Sequence, residues 1–139
     1  MVWTNKISVE IDTGHRLSKG YPYKCKNIHG HRFLIEVFIS GNKLDKYDML
    51  VDFNIIKEYL KTYIEEKFDH KLILYEKDEL KQYLDKENTI YLNGNPTCEF
   101  LSKYISDLLY DKINTIDYTL KSVRVSESSK QYSEYSINE

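Results

Sequence analysis

The sequence predicts an α+β domain: a four-stranded antiparallel sheet with two helices on one face, in the order ββααββ. Three observations carry that expectation. Apolar and polar residues alternate through two segments near the start. Apolar residues recur at three- and four-residue spacings through two later segments, and two more strand-like segments close the chain. At 139 residues the chain, 1–139, reads as one domain long enough to bury a core.

Ile7, Val9 and Ile11 alternate with Ser8, Glu10 and Asp12, the pattern of a half-buried strand over residues 7–15. His15 keeps the apolar parity if the strand stays regular past Gly14. Residues 18–26, with Ser, Gly, Pro and three lysines, read as a loop. The second strand runs from about His29 to Ser40, with His31, Phe33, Ile35, Val37 and Ile39 on one parity, and Gly41-Asn42-Lys43 turns the chain. The two strands pair as an antiparallel hairpin, whose long loop is of the kind that often carries function. Residues 54–67 form a helix: Ile56, Leu60, Tyr63, Ile64 and Lys67 share one stripe, and Asp52 or Asn54 caps it. Asp78–Leu84 reads as a short helix and Asn93-Gly94 as a turn, while the rest of 73–93 carries no clear signal. A second long helix starts at Asn95-Pro96-Thr97, with Asn95 as cap and Pro96 in first position. Its apolar side is Cys98, Leu101, Ile105 and Leu108, and it ends near Lys112-Ile113-Asn114. Tyr118–Val125 is the third strand, Ser126–Lys130 a connection, and Gln131–Ile137 the fourth strand.

Composition narrows the function classes. Hydrophobic residues make up 41% and charged residues 30%, with a net charge of -2 from well-mixed signs. No basic stripe argues for nucleic acid, and neither a basic amphipathic helix nor a long apolar run argues for a membrane. The first residues lack the apolar core of a signal peptide, and two cysteines, Cys25 and Cys98, fit reduced thiols in a cytoplasmic protein. Thirteen tyrosines supply packing area and imply no function by themselves.

Chemistry concentrates in Cys25-Lys26-Asn27-Ile28-His29-Gly30-His31, a thiol and two of the chain's four imidazoles within seven residues. On an extended strand, His29 and His31 point to one face, where they can reach one divalent cation. His15, at the end of the adjacent strand, supplies a third imidazole. Three histidines with an open fourth position describe a catalytic zinc site, with Zn–N distances of about 2.0–2.1 Å. The competing reading is three ordinary surface histidines. Cys25 is either a fourth ligand, which closes the site, or a base or nucleophile beside an open one; spacing does not separate the two. Cys98 falls on the core stripe of a helix and reads as a small buried hydrophobe. Asp69-His70 could orient and tune a general acid/base, although adjacent side chains often point apart and a solvated loop is the simpler reading. Glu127, alone between serines, matters only if the sheet lines a pocket there.

Taken together, these residues resemble the 6-pyruvoyl-tetrahydropterin synthase family. The motifs that carry the likeness are His15-Arg16-Leu17, Cys25-x-x-x-His29-Gly30-His31, Met49-x-Val51-Asp52-Phe53, Asp69-His70, Asn95-Pro96-Thr97-x-Glu99 and Val123-x-Val125-x-Glu127, in that order along nearly the whole chain. The three-residue gap between Cys25 and His29, and the ending Glu127-Ser128-x-x-x-x-x-Glu134-Tyr135, look like the 6-carboxytetrahydropterin synthase branch of queuosine biosynthesis. The resemblance implies a tunnelling fold whose sheets join into a barrel, trimers stacked as a homohexamer, and active sites between subunits. It implies zinc held by His15, His29 and His31, Cys25 as general base, Asp69 with His70 as the partner proton relay, and Glu127 as anchor of the pterin ring. The substrate it implies is 7,8-dihydroneopterin triphosphate, converted to 6-carboxy-5,6,7,8-tetrahydropterin, acetaldehyde and triphosphate. Two departures stand out. Ile11-Asp12-Thr13-Gly14 precedes His15 where the family favours an aromatic residue and small alanines, and Ser128-Ser129 replaces the usual Thr-Pro. Two rival expectations are a 6-pyruvoyl-tetrahydropterin synthase, and a non-catalytic module with a closed structural His3Cys zinc.

Overall fold

The computed structural model describes residues 2–137. The alternating segments at the start form β1 (Trp3–His15) and β2 (His29–Gly41), paired antiparallel from Trp3↔Gly41 to His15↔His29 without a slip. Then comes helix α1, an α-helical stretch Phe53–Leu60 that continues through a π-helical Lys61–Glu65 into a last turn Glu66–Phe68. Its cap is Asp52, whose side chain accepts from the Asn54 amide at 2.8 Å. Short strands β3 (Leu72–Tyr75) and β4 (Thr89–Leu92) follow, then helix α2 (Cys98–Ile113), β5 (Thr119–Ser128) and β6 (Gln131–Ser136).

All six strands form one sheet in the order β4-β3-β1-β2-β5-β6. The four expected strands are its antiparallel part, β1-β2-β5-β6. The expectation of four strands therefore falls short by two, since β3 lies parallel to β1 and β4 parallel to β3. The missed strands have a physical reason for being illegible. Ile73 and Leu74 are both fully buried, so β3 is a short continuous apolar run, which periodicity cannot assign.

Other boundaries move for similar local reasons. The short helix expected at Asp78–Leu84 is a 3₁₀ helix over Glu79–Tyr83, capped by Asp78. Strand β5 runs through Ser128, so the expected Ser126–Lys130 connection shrinks to a tight turn. In α2 the cap is Thr97, whose Oγ1 accepts from the Phe100 amide at 3.1 Å, and the helix begins after Pro96. Asn95 is drawn away from capping because its amide oxygen accepts from Ser18 N at 2.9 Å.

One face of the sheet is the core. Ile7, Ile11, Phe33, Ile35, Val37, Ile39, Val123 and Val125 pack there against Ile56, Leu60, Ile64 and Phe68 of α1 and Leu101, Ile105, Leu109 and Ile113 of α2. Leu109, rather than Leu108, completes the buried stripe of α2. The opposite face carries no helix among the described residues and is laced with ion pairs: Lys6–Glu36 at 3.4 Å, Arg32–Asp12 at 2.9 Å and Arg124–Glu134 at 2.9 Å. No helix among the described residues is long and apolar enough to cross a membrane.

Candidate metal centre and active site

The β1–β2 register creates the central cluster. His15 lies directly opposite His29, and His31 opposite Thr13, so the three imidazoles leave the same face of neighbouring strands. Between them Gly14 pairs with Gly30, and a Cβ on Gly14 would stand 3.3 Å from the Leu72 side chain. Ring centroids are 4.5 Å apart for His15–His29, 5.1 Å for His15–His31 and 5.0 Å for His29–His31. Phe33 floors the group, with its ring centroid 5.4 Å from that of His15 and 5.5 Å from that of His31.

Two ring tautomers follow from hydrogen bonds. His15 Nδ1 lies 2.8 Å from the Pro96 carbonyl and His29 Nδ1 2.7 Å from the Asn27 carbonyl. A carbonyl only accepts, so each Nδ1 carries the proton and each Nε2 presents a lone pair. His15 is 3% exposed and its Nε2 has no partner. Burial first, and the neighbouring His29 and His31 next, hold its pKa down to about 4, against the opposing pull of the Pro96 carbonyl. A buried lone pair without a donor is costly unless something electrophilic meets it.

The donor set fits a divalent ion. One nitrogen from each imidazole lies within 4.8 Å of the others, and three histidines, two of them held by carbonyl contacts, form an open ligand set of the kind that suits zinc. Side-chain rotation closes that spread to the roughly 3.3 Å spacing of ligands on a tetrahedral ion with bonds of about 2.0–2.1 Å. Among the described residues Cys25 does not belong to this group of atoms. It sits half-buried in a 3₁₀ turn, Lys24–Lys26, whose position is held by Leu17 N donating to the Cys25 carbonyl at 2.9 Å.

A pocket of about 270 Å³ opens beside the cluster, with His15, His29, Cys25 and Glu127 in its wall. Glu127 is thus not a solvated connector. Strand β5 carries it to the pocket, where Oε1 accepts from Gln131 Nε2 at 2.7 Å and Oε2 stands 3.7 Å from His31 Nε2. Cys98 is buried as expected, yet its thiol also lines the pocket and lies 3.9 Å from Glu127 Oε2. Burial and the charges of Glu127 and Glu99 push that thiol up to about 12, so Cys98 stays protonated. Leu17, Thr97, Glu99, Gln131, Tyr132 and Ser133 complete the wall. In the sequence Thr97 and Glu99 stand out only within a motif, and Gln131 and Ser133 carry no site signal. The Ser133 hydroxyl reaches Glu99 Oε1 at 3.0 Å across 34 positions of chain.

Asp69 and His70 do form a pair, against the expectation of a solvated loop with diverging side chains. His70 adopts a left-handed backbone, φ 60°, while its amide donates to the Asp12 carbonyl at 2.7 Å. That turn folds His70 Nδ1 back to within 2.8 Å of Asp69 Oδ2. Asp69 Oδ1 accepts from the Asp12 amide at 2.7 Å, and this bond leads the effects that hold its carboxyl below the usual carboxylate range. The pair stands at the outer edge of β1 and does not line the pocket of its own chain. The His70 side chain is 77% exposed.

Comparison with known proteins agrees with this geometry. The pattern of the 6-pyruvoyl tetrahydropterin synthase family matches residues 5–138. A Rickettsia felis protein named 6-carboxy-5,6,7,8-tetrahydropterin synthase is 38% identical over 109 residues, 76% of this chain and 78% of that protein. An Aquifex aeolicus protein of the same name is 33% identical over 120 residues, 81% of this chain and 72% of its own. Among solved structures, an uncharacterized protein from Wolinella succinogenes superposes with a TM-score of 0.80 at 20% identity, covering 98% of this chain and 99% of the other. The 6-pyruvoyl tetrahydropterin synthase of Plasmodium vivax does so with 0.75 at 19%, over 98% and 99%. At such identities the structural likeness speaks for the fold.

Proposed function

The chain belongs to the 6-pyruvoyl tetrahydropterin synthase family, and on that premise we propose that it is a zinc-dependent 6-carboxy-5,6,7,8-tetrahydropterin synthase. Its substrates are 7,8-dihydroneopterin triphosphate and one water, and the products are 6-carboxytetrahydropterin, acetaldehyde and triphosphate, on the route to 7-deazaguanines such as queuosine. The observation that carries the reading is the open cluster of His15, His29 and His31, two of which, His15 and His29, line the same pocket as a carboxylate, Glu127, that stands 3.7 Å from the third. The relatives named for this reaction support the choice of branch.

His15, His29 and His31 hold the ion, which when bound acts as a Lewis acid on the side-chain hydroxyls and acidifies the neighbouring C–H bonds. The Pro96 and Asn27 carbonyls keep two of the rings in the tautomer that offers Nε2. Glu127 accepts the N–H edge of the pterin, a charge-assisted match for a guanidine-like group. Gln131 holds one oxygen of that carboxylate and so sets its plane. Cys25, as its thiolate, accepts a proton from the side chain and becomes the thiol, and its position outside the ligand cluster supports a base rather than a fourth ligand.

Return of a proton is the role of His70, held by Asp69. Because this pair sits on the edge of β1, it serves the pocket of a neighbouring copy. β1 pairs with β3 only at Gly14 and His15, leaving a long strand edge without a partner on this side among the described residues, and β6 ends the other side of the sheet. Such edges invite closure, and the charged, helix-free face is suited to line a water-filled barrel. The assembly is a homo-oligomer, a hexamer of two trimers.

One assay separates the branches. Zinc-loaded protein incubated with dihydroneopterin triphosphate should release acetaldehyde and carboxylated pterin. A pyruvoyl product without acetaldehyde would refute the assignment. Replacing Cys25 by Ala should abolish turnover while zinc content stays at wild-type level; loss of the metal would instead point to a closed structural site.

A further inference from the structure

A second, open groove of about 400 Å³ adjoins the pocket and shares Leu17 with it. Its wall includes Arg16, next in the chain to His15, and Asn27, whose carbonyl holds His29. Four cationic side chains, Arg16, Lys19, Lys26 and Lys77, line it against two carboxylates, Asp78 and Glu79. Those carboxylates are already engaged. Asp78, 3% exposed, accepts from Arg16 Nε at 2.7 Å and Nη2 at 2.5 Å, and Glu79 lies 4.0 Å from the same guanidinium. The three lysines make no ion pair among the described residues; Lys19 lies over the Tyr75 ring at 4.4 Å. An excess of uncommitted positive charge therefore faces the groove.

The groove wall is tied down at several points. Leu17 N donates to the Cys25 carbonyl at 2.9 Å, and Ser18 N and Oγ donate to Asn95 Oδ1 at 2.9 and 3.2 Å. Between these anchors Lys19 and Gly20 take φ of 59° and 77°, and Tyr21 N donates to the Ser18 carbonyl at 3.3 Å, closing a tight turn that lifts Lys19 to the rim. Arg16 is clamped by Asp78 and is a structural post, which leaves the flexible ammonium groups to meet a ligand.

We propose that this groove seats the triphosphate of the substrate, an inference that rests on the pterin triphosphate reading above. The phosphate ester ends the same side chain whose hydroxyls face the imidazoles, so the polyphosphate must leave the pocket away from the carboxylate that anchors the ring. None of Glu127, Gln131 and Tyr132 lines the groove, whereas Arg16 and Asn27 bring it against the imidazole end. Lysines suit this ligand because each is a mobile point charge that can follow a chain of phosphates. The same charges stabilise the negative charge that builds on triphosphate as its ester bond breaks.

The test uses two oxidised pterins that bind without reacting, neopterin and neopterin triphosphate, titrated by fluorescence into the zinc-loaded protein. Wild type should prefer the triphosphate, and the preference should weaken with added salt. The variant Lys19→Ala/Lys26→Ala/Lys77→Ala should lose about tenfold or more of that preference with neopterin affinity unchanged, and the three Lys→Arg replacements should restore most of it. A control, Lys43→Ala/Lys61→Ala/Lys121→Ala, should keep the preference. An unchanged preference in the groove variant, or an equal loss in the control, overturns the seat and leaves the pterin reading intact. Failure of wild type to bind either pterin overturns both.

Discussion

His15 should make the metal-stripped protein lose stability as pH falls from about 6.5 to about 4. Its folded-state pKa lies near 4, against an ordinary value of 6.5, because burial penalises the imidazolium. Above pH 6.5 the ring is neutral whether the chain is folded or not, and contributes nothing. Below it the unfolded chain takes up a proton that the folded chain refuses, so the folded state weakens with each unit of pH down to about 4. At 1.36 kcal/mol per unit the full effect is about 3 kcal/mol, a large share of the stability of an ordinary domain. The carboxyls of Asp69 and Asp78 are held below the usual carboxylate value of 3.8, so the stability they lend is lost only below the window in which His15 acts. Urea unfolding of metal-free protein at pH 7.5, 6, 5 and 4, beside His15→Leu, isolates the contribution. The wild type should lose about 3 kcal/mol relative to the variant across that range. Equal slopes in the two proteins would mean that His15 is protonated in the fold, and that the burial argument fails. Adding zinc at pH 7.5 should stabilise wild type by about 2.7 kcal/mol at a hundredfold excess over its dissociation constant, and should leave His15→Leu much less affected.

Further expectations concern the frame around the site. Asp78→Ala should destabilise by about 3 kcal/mol, since it strands the Arg16 guanidinium and uncaps the turn at Leu80; Arg16→Met in the same chain should recover part of the loss in a thermal melt. Thr97→Ala should cost about 1 kcal/mol through the lost cap of α2, read by denaturant unfolding. Gln131→Leu should raise KM for the pterin more than it lowers kcat, because Glu127 loses the bond that orients it; an unchanged KM would show that the carboxylate is positioned without it. His29→Ala and His31→Ala should each abolish stoichiometric zinc, measured by elemental analysis.

The three-histidine cluster was legible because strand geometry is local. A period of two puts His29 and His31 on one face, and the unbroken alternation of β1 carries His15 into phase with them. The antiparallel part of the sheet, both helices and the stripe of core residues were legible for the same reason, as each follows from spacings within one segment. Strands β3 and β4 were not, because a short run buried on both faces carries no period. Asp69 and His70 looked like adjacent loop residues until the left-handed turn at His70 and its bond to Asp12 brought them together. The site as a pocket was equally hidden. The Pro96 carbonyl reaches His15 across 81 positions of chain, and Gln131 fixes the plane of a carboxylate whose partners lie on three other elements. Residue types and periods determined which groups carry the chemistry. Which of them face one another is settled by long-range packing, because a hydrogen bond between distant segments depends on how the whole core closes and leaves no periodic trace in the chain.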